Sequence, residues 1–184
     1  LPINKVSERD VFLNYSLKTA RYTFDCPLVV GALLSGAGEK ETRLLAELGL
    51  LVGQAFQIQD DVIGVFDSEK NIGKSILSDI EESKKTLLVC HAYSVLKGQE
   101  RKKFLAYFSK PKITLSDLRA IRKIFIETQS LQYAFDQIKT RIERGERIVK
   151  KLKMKPEYRD SIWEYFFQLF EHSKRIALEN KIHF

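Results

Sequence analysis

Between Glu39 and Phe66 the side chains of Leu44, Leu45, Leu48, Leu51, Val52, Ala55, Phe56 and Ile58 recur at mixed spacings of three and four. On a helix that period makes a wide apolar face, which predicts a largely buried, central helix. Val11 to Leu34 is also helical in pattern, with Pro27 marking a kink or break because proline removes a backbone donor and clashes with the preceding turn. Gly36, Ala37 and Gly38 close that segment. Downstream, Lys84 to Leu96 reads as helix, Gly98 and Pro111 punctuate, and Ser116 is the expected N-cap of another helix. Ile138, Ile142, Ile148, Val149 and Leu152 form a stripe beneath Lys139, Arg141, Arg144, Arg147, Lys150, Lys151, Lys153 and Lys155, in a helix that Pro156 is expected to end. One last helix is predicted over Glu157 to Asn180, rich in Trp163, Tyr165, Phe166, Phe167, Leu169 and Phe170. No segment has a convincing period of two, and no repeat or interdomain linker stands out. The predicted fold over residues 1–184 is one all-α domain or part of one.

Composition narrows the function classes. With 44% hydrophobic and 30% charged residues over 184 positions, the chain is neither disordered nor low in complexity, and it is long enough to bury a core. The surplus of 31 Lys+Arg over 24 Asp+Glu gives a formal charge of +7. Part of it lies between Lys139 and Lys155, where the apolar stripe, Glu143 and Glu146 and the lack of interleaved aromatics point to a solvated helix face and not to nucleic acid. Membrane contact is expected to be peripheral at most. The best apolar stretches, Cys26 to Ala37 and Leu44 to Ile58, are interrupted by Pro27, Gly31, Glu47 and Gln54 and are too short to span a bilayer. Nothing at the start resembles a signal peptide. Cys26 and Cys90 stand far apart without a CxxC pattern, as expected of reduced residues in a cytoplasmic protein. His91, His172 and His183 have no metal-binding spacing and read as surface or packing residues.

Chemistry concentrates in Phe56-Gln57-Ile58-Gln59-Asp60-Asp61-Val62-Ile63-Gly64 and the long loop predicted from Asp67 to Ser83. Adjacent carboxylates at the end of an apolar helix cost free energy unless partnered, and the helix dipole there disfavours negative charge. They either terminate the helix at the surface or meet a cation. Mg²⁺ takes carboxylate oxygens, often only one or two, and completes its shell with water and phosphate. The following Gly73-Lys74, Asp79 and Lys84-Lys85-Thr86 alternate acid and base over a short span, which suits a metal-bridged diphosphate. Lys18-Thr19 upstream offers one more ammonium and a hydroxyl.

These runs resemble the second aspartate-rich region of the trans-isoprenyl diphosphate synthases, the polyprenyl synthetases. The likeness comprises Phe56-Gln57-x-x-Asp60-Asp61-x-x-Gly64, Gly73-Lys74, Ser78-Asp79-Ile80 and Lys84-Lys85-Thr86-Leu87. Lys18-Thr19-Ala20-Arg21-Tyr22-Thr23-Phe24, with Pro27-Leu28 and Gly31-Ala32, is similar to the family's Lys-Thr-Ala helix, so motifs cover roughly Val11 to Val89. The resemblance implies an all-α, usually homodimeric, Mg²⁺-dependent enzyme whose active site lies inside a helical bundle. It implies Asp60 as principal Mg²⁺ ligand, Asp61 binding directly or through water, and Asp79 with Lys84 in the phosphate and metal-water network. Lys18 and Lys74 would hold the allylic diphosphate. Thr19, Phe56 and Gln57 would line the side where isopentenyl diphosphate meets the allylic chain, with Tyr22 nearby. The implied reaction is head-to-tail condensation of these two diphosphates, and Gln57 to Phe66 has the texture of geranylgeranyl or farnesyl diphosphate synthases.

Two departures accompany the likeness. Gly64 stands where a third acid often closes the second motif, a trait shared with some short-chain synthases. Asp60-Asp61 is also the only adjacent Asp pair, so the family's first aspartate motif is missing from this sequence. Because the chain begins at Leu1 and has about half the family's usual length, it is expected to be the C-terminal portion of a synthase, inactive without the other half. The alternative is a short regulatory or binding paralogue. A terpene cyclase, suggested by the spacing of Asn71, Ser75 and Asp79, is disfavoured because its aspartate motif would lie much further upstream. Loss of half a bundle predicts association through the Glu39 to Phe66 helix or its neighbours.

Overall fold

The computed structural model describes residues 2–67, 80 and 82–184. Its first helical stretch joins three segments: α1 (Glu8–Tyr15), a π-helical turn series (Ser16–Asp25) and α2 (Cys26–Leu34). Pro27 interrupts less than expected, because it sits in the first turn of α2, where its missing N–H has no intrahelical role. The chain therefore changes helix type at Cys26 without breaking. Gly36, at φ 74°, closes α2: its N–H donates to Leu33 and that of Ala37 to Ala32 at 2.9 Å, satisfying carbonyls that the helix end leaves open.

Helix α3 (Glu39–Phe66) has the bounds that its apolar period predicts, and it is the hub of the fold. Leu45, Leu48, Leu51, Val52, Ala55, Ile58, Val62 and Val65 are all buried, so the helix is covered on nearly every side. The π segment and α2 pack along one flank and α7 (Ser130–Val149) along the other. Gly49 and Gly53 make the first of these contacts possible. A methyl group on Gly53 would lie 2.4 Å from the Cα of Ala20, and one on Gly49 would lie 2.6 Å from the Cα of Asp25. Only glycine at these positions lets the π segment approach α3 backbone to backbone.

The remaining helices are α4 (Leu87–Val95), α5 (Gly98–Tyr107), α6 (Leu115–Glu127), α8 (Pro156–Gln168) and α9 (Glu171–Glu179). No strand occurs among the described residues, in keeping with the expected all-α class. Several predicted boundaries move. The helix expected from Lys84 begins at Leu87, with Thr86 as its N-cap. Ser116 is not a cap; Thr114 is, because Asp117 three residues later completes a reciprocal capping box. Gly98, expected as punctuation, opens α5, and Pro156 starts α8 instead of ending the basic helix, which stops at Val149. The predicted last helix is two. Gln59 splices the break, donating to Leu169 O at 2.7 Å and accepting from the Ser173 backbone N–H at 3.2 Å.

Arg141, expected on the solvated basic face, instead lies over the Phe12 ring at 4.1 Å and donates to Gln54 and Gln137. Burial pushes its guanidinium down to about 10. Exposed apolar side chains gather on the first helical stretch, a neighbour of α3: Leu13, Leu17, Tyr22, Val30, Leu33 and Leu34 all face outward.

Candidate active site

The aspartate pair lies one and a half turns inside α3, not at its end, because the helix continues to Phe66. The terminal carbonyls have their own cation. Arg122 donates from Nε to Val65 O at 2.6 Å and from a terminal nitrogen to Asp67 O at 3.0 Å, while Arg175 pairs with the Asp67 carboxylate. This guanidinium clamp meets the negative end of the helix dipole. Its residues lie 55 and 108 positions from Asp67, beyond the reach of any local pattern.

Asp60 and Asp61 differ sharply in surroundings. Asp60 is exposed, whereas Asp61 is only 5% exposed. A buried carboxylate requires donors, and two of them come from Gln57 and Tyr15. Gln57 Nε2 donates to Asp61 Oδ1 at 3.1 Å and more weakly to Asp60 Oδ2 at 3.3 Å. Tyr15 donates its hydroxyl to Asp61 Oδ2 and accepts the Leu87 N–H at 2.9 Å. Burial and the Asp61 charge push the Tyr15 phenol well above its ordinary range, so it remains a donor. Thr19 Oγ1 donates to Gln57 Oε1, fixing the amide so that its nitrogen faces the carboxylates.

Around this network opens a cleft of about 440 Å³ between α1, the π segment, α3 and the entry to α4. Lys18, Gln57, Asp61 and Lys84 line it together, beside Tyr15, Lys85 and Thr86. Lys84 also meets Glu82 at 3.3 Å, and Lys85 donates to Ser83 O. The N-terminus of α4 points into this region, adding the positive end of a helix dipole to the two lysines. Asp61 lines the cleft, whereas Asp60 is exposed beside it and is not part of the lining. Ammonium groups, a helix N-terminus and a carboxylate with an exposed neighbour suit a polyanion that shares a cation with the protein.

The other expected residues are placed as follows. Phe56 is half-buried and packs its ring 5.5 Å from that of Phe24. Tyr22 is 80% exposed and is not among the residues lining the cleft. Lys74 and Asp79, with Gly73, Ser78, Asn71 and Ser75, lie outside the described residues, as does most of the loop predicted over Asp67 to Ser83. Sequence reasoning missed Asp10, Asn14 and Tyr15, which also line the cleft, and of these Tyr15 bonds Asp61 of the aspartate pair. The available signal was a tyrosine four residues before Thr19 on one helical face, where a buried phenol needs a partner for its hydroxyl.

Among the described residues no three His, Cys, Asp or Glu side chains come together as a metal cage. The donor set is instead one accessible carboxylate beside one buried, hydrogen-bonded carboxylate. That fits Mg²⁺, which keeps waters and substrate phosphates and needs few protein ligands. A larger apolar hollow of about 580 Å³ opens between α2, the first turn of α3 and the approach to α8. It sits at the opposite end of α3 from the aspartates, roughly 28 Å away at 1.5 Å per residue.

Comparison with known proteins places the chain in a family. The family model described as polyprenyl synthetase matches residues 4–125. Geranylgeranyl diphosphate synthase of Sulfolobus acidocaldarius is 35% identical over 131 residues, which cover 71% of this chain and 39% of that protein. The corresponding synthase of Saccharolobus solfataricus is 36% identical over 134 residues, covering 73% of this chain and 40% of the relative. Among solved structures, geranylgeranyl pyrophosphate synthase from Corynebacterium glutamicum, complexed with isoprenyl diphosphate and magnesium, superposes with a TM-score of 0.82 at 26% identity, covering 90% of this chain and 47% of that one. The Pyrococcus horikoshii enzyme gives 0.78 at 27% identity, covering 90% and 50%. The chain spans about two fifths of the length of these two archaeal sequence relatives. On its motifs, its fold and these matches, the chain belongs to the polyprenyl synthetase family.

Proposed function

We propose that this chain supplies the second-aspartate half of a Mg²⁺-dependent prenyltransferase site, which condenses isopentenyl diphosphate with an allylic diphosphate to a short-chain product of the geranylgeranyl type. The observation that carries this is the convergence of Lys18, Gln57, Asp61 and Lys84 on one cleft from three separate stretches of sequence. The names of the archaeal relatives support the product class, and the magnesium and isoprenyl diphosphate in the C. glutamicum complex support the ligands. No helix among the described residues is long and apolar enough to cross a membrane, and the site is proposed to work in the cytoplasm.

In this mechanism Asp60 would hold the metal as its accessible ligand, with Asp61 beside it directly or through water. Mg²⁺, when bound, supplies positive charge that stabilises the departing diphosphate. Lys18 and Lys84 hold the diphosphate oxygens as point charges, and Lys74 and Asp79 are proposed to join them. The allylic C–O bond breaks, its electron pair leaves with diphosphate, and the double bond of isopentenyl diphosphate attacks the carbon. Loss of a proton restores an alkene. No side chain attacks; the chain contributes fixed charge. Thr19 orients Gln57, and Phe56 offers an apolar wall. The remaining half, with the first aspartate motif and in a homodimer, is proposed to cover Leu13, Leu17 and the rest of the exposed apolar run.

The test is a chimera in which this chain replaces the corresponding portion of the Sulfolobus acidocaldarius synthase. Incorporation of labelled isopentenyl diphosphate is expected, falling about 100-fold or more with Asp60→Ala or Lys84→Ala. A folded chimera that binds the substrates without turnover would favour a regulatory or binding role.

A further inference from the structure

The Tyr15 hydroxyl joins three elements at one atom. It belongs to α1, donates to Asp61 in α3, and accepts the N–H of Leu87, the first residue of α4. The Leu87 N–H is one of those that a helix leaves without an internal partner. By accepting it, the phenol oxygen becomes the better donor toward the carboxylate. The other Asp61 oxygen is taken by Gln57 at 3.1 Å. A carboxylate anchored through both oxygens is restrained from rotating about its side-chain bonds, and Tyr15 itself is held in place by burial at 4% exposure.

We infer that Tyr15 is a positioning residue for the aspartate pair: its hydroxyl holds Asp61 in the rotamer from which the pair receives a divalent cation together with a diphosphate. The same bond sets the N-terminus of α4 at a fixed distance from the carboxylates, so that the anion and cation portions of the cleft are in register. This rests on assigning Asp60 and Asp61 to the metal. Groups that orient metal ligands from behind change metal affinity about 10- to 100-fold when removed.

The experiment is calorimetric titration of Mn²⁺ into the full chain in the presence of inorganic pyrophosphate, with circular dichroism to establish folding. Tyr15→Phe keeps the ring and removes the oxygen, and is expected to weaken binding about tenfold or more. Replacing Tyr15 by 4-aminophenylalanine restores a donor and is expected to recover most of the loss, which a purely space-filling ring would not require. Undiminished binding by Tyr15→Phe, alongside lost binding by Asp60→Asn, overturns the positioning role while leaving the metal assignment intact. Undiminished binding by Asp60→Asn, or none by the unsubstituted chain, overturns that assignment and the role of Tyr15 with it. Should Tyr15→Phe fail to fold, the hydroxyl-proton resonance of Tyr15 in the unsubstituted chain serves instead. It is expected to shift when Mg²⁺ and pyrophosphate are added, and a resonance that stays in place overturns the inference.

Discussion

Gln57 reaches Asp61 across one turn of α3, its amide nitrogen 3.1 Å from Oδ1, and the same nitrogen lies 3.3 Å from Oδ2 of Asp60. One neutral amide thereby bridges two adjacent carboxylates, of which Asp61 lines the cleft. Replacing it with a carboxylate of the same shape would turn a donor into a third negative charge.

Gln57→Glu is therefore expected to destabilise the chain by about 1 to 3 kcal/mol at neutral pH, the usual cost of leaving a buried polar group without its partner. The loss should shrink as the pH is lowered and the new acid is protonated. Urea unfolding at several pH values measures it, and a substitution without effect on stability would contradict the bridging role.

Two glycines separate close packing from helix propensity. Gly53→Ala must push against Ala20 and Phe24 and is expected to cost about 1 to 3 kcal/mol. Gly31, on α2, has nothing within 4 Å of where a methyl would stand. Gly31→Ala should stabilise by about 0.5 to 1 kcal/mol, because alanine loses less backbone freedom in a helix. Thermal unfolding of both variants gives the opposite signs that the geometry demands.

Acid sensitivity should be traceable in part to Asp117. Lys110 donates to its Oδ1 at 2.5 Å and Thr114 to its Oδ2 through both the backbone and the hydroxyl, holding the carboxyl down to about 2 against an ordinary 3.8. The folded chain thus binds fewer protons here than the unfolded one, so this contribution to stability is complete above about pH 3.8 and disappears as the pH falls toward 2. Asp117→Asn should be less stable than the unsubstituted chain at pH 6, with the gap closing over that window. A gap that does not vary with pH would contradict the assignment.

Much of this architecture is legible in sequence because its signals are local. The extent of α3 follows from a dense apolar period, and Asp60, Asp61, Gln57, Lys18 and Lys84 stand in short runs whose chemistry is self-evident. The misplaced boundaries come from signals that cut both ways. Pro156 reads as a stop but suits a first turn equally well, and Ser116 competes with Thr114, whose advantage is the acid three residues on. Tyr15 was hidden for another reason: its partners are 46 and 72 positions away, so its hydroxyl gains meaning only when α1, α3 and the start of α4 meet.

The most direct test of the central claim is equilibrium binding of geranyl diphosphate to the full chain, with and without Mg²⁺. Binding that requires Mg²⁺, and that Asp60→Ala and Lys18→Ala each weaken about tenfold or more, is the predicted result. Binding of equal strength without the metal, or unchanged by Asp60→Ala, would contradict a metal-bridged diphosphate site at this end of α3.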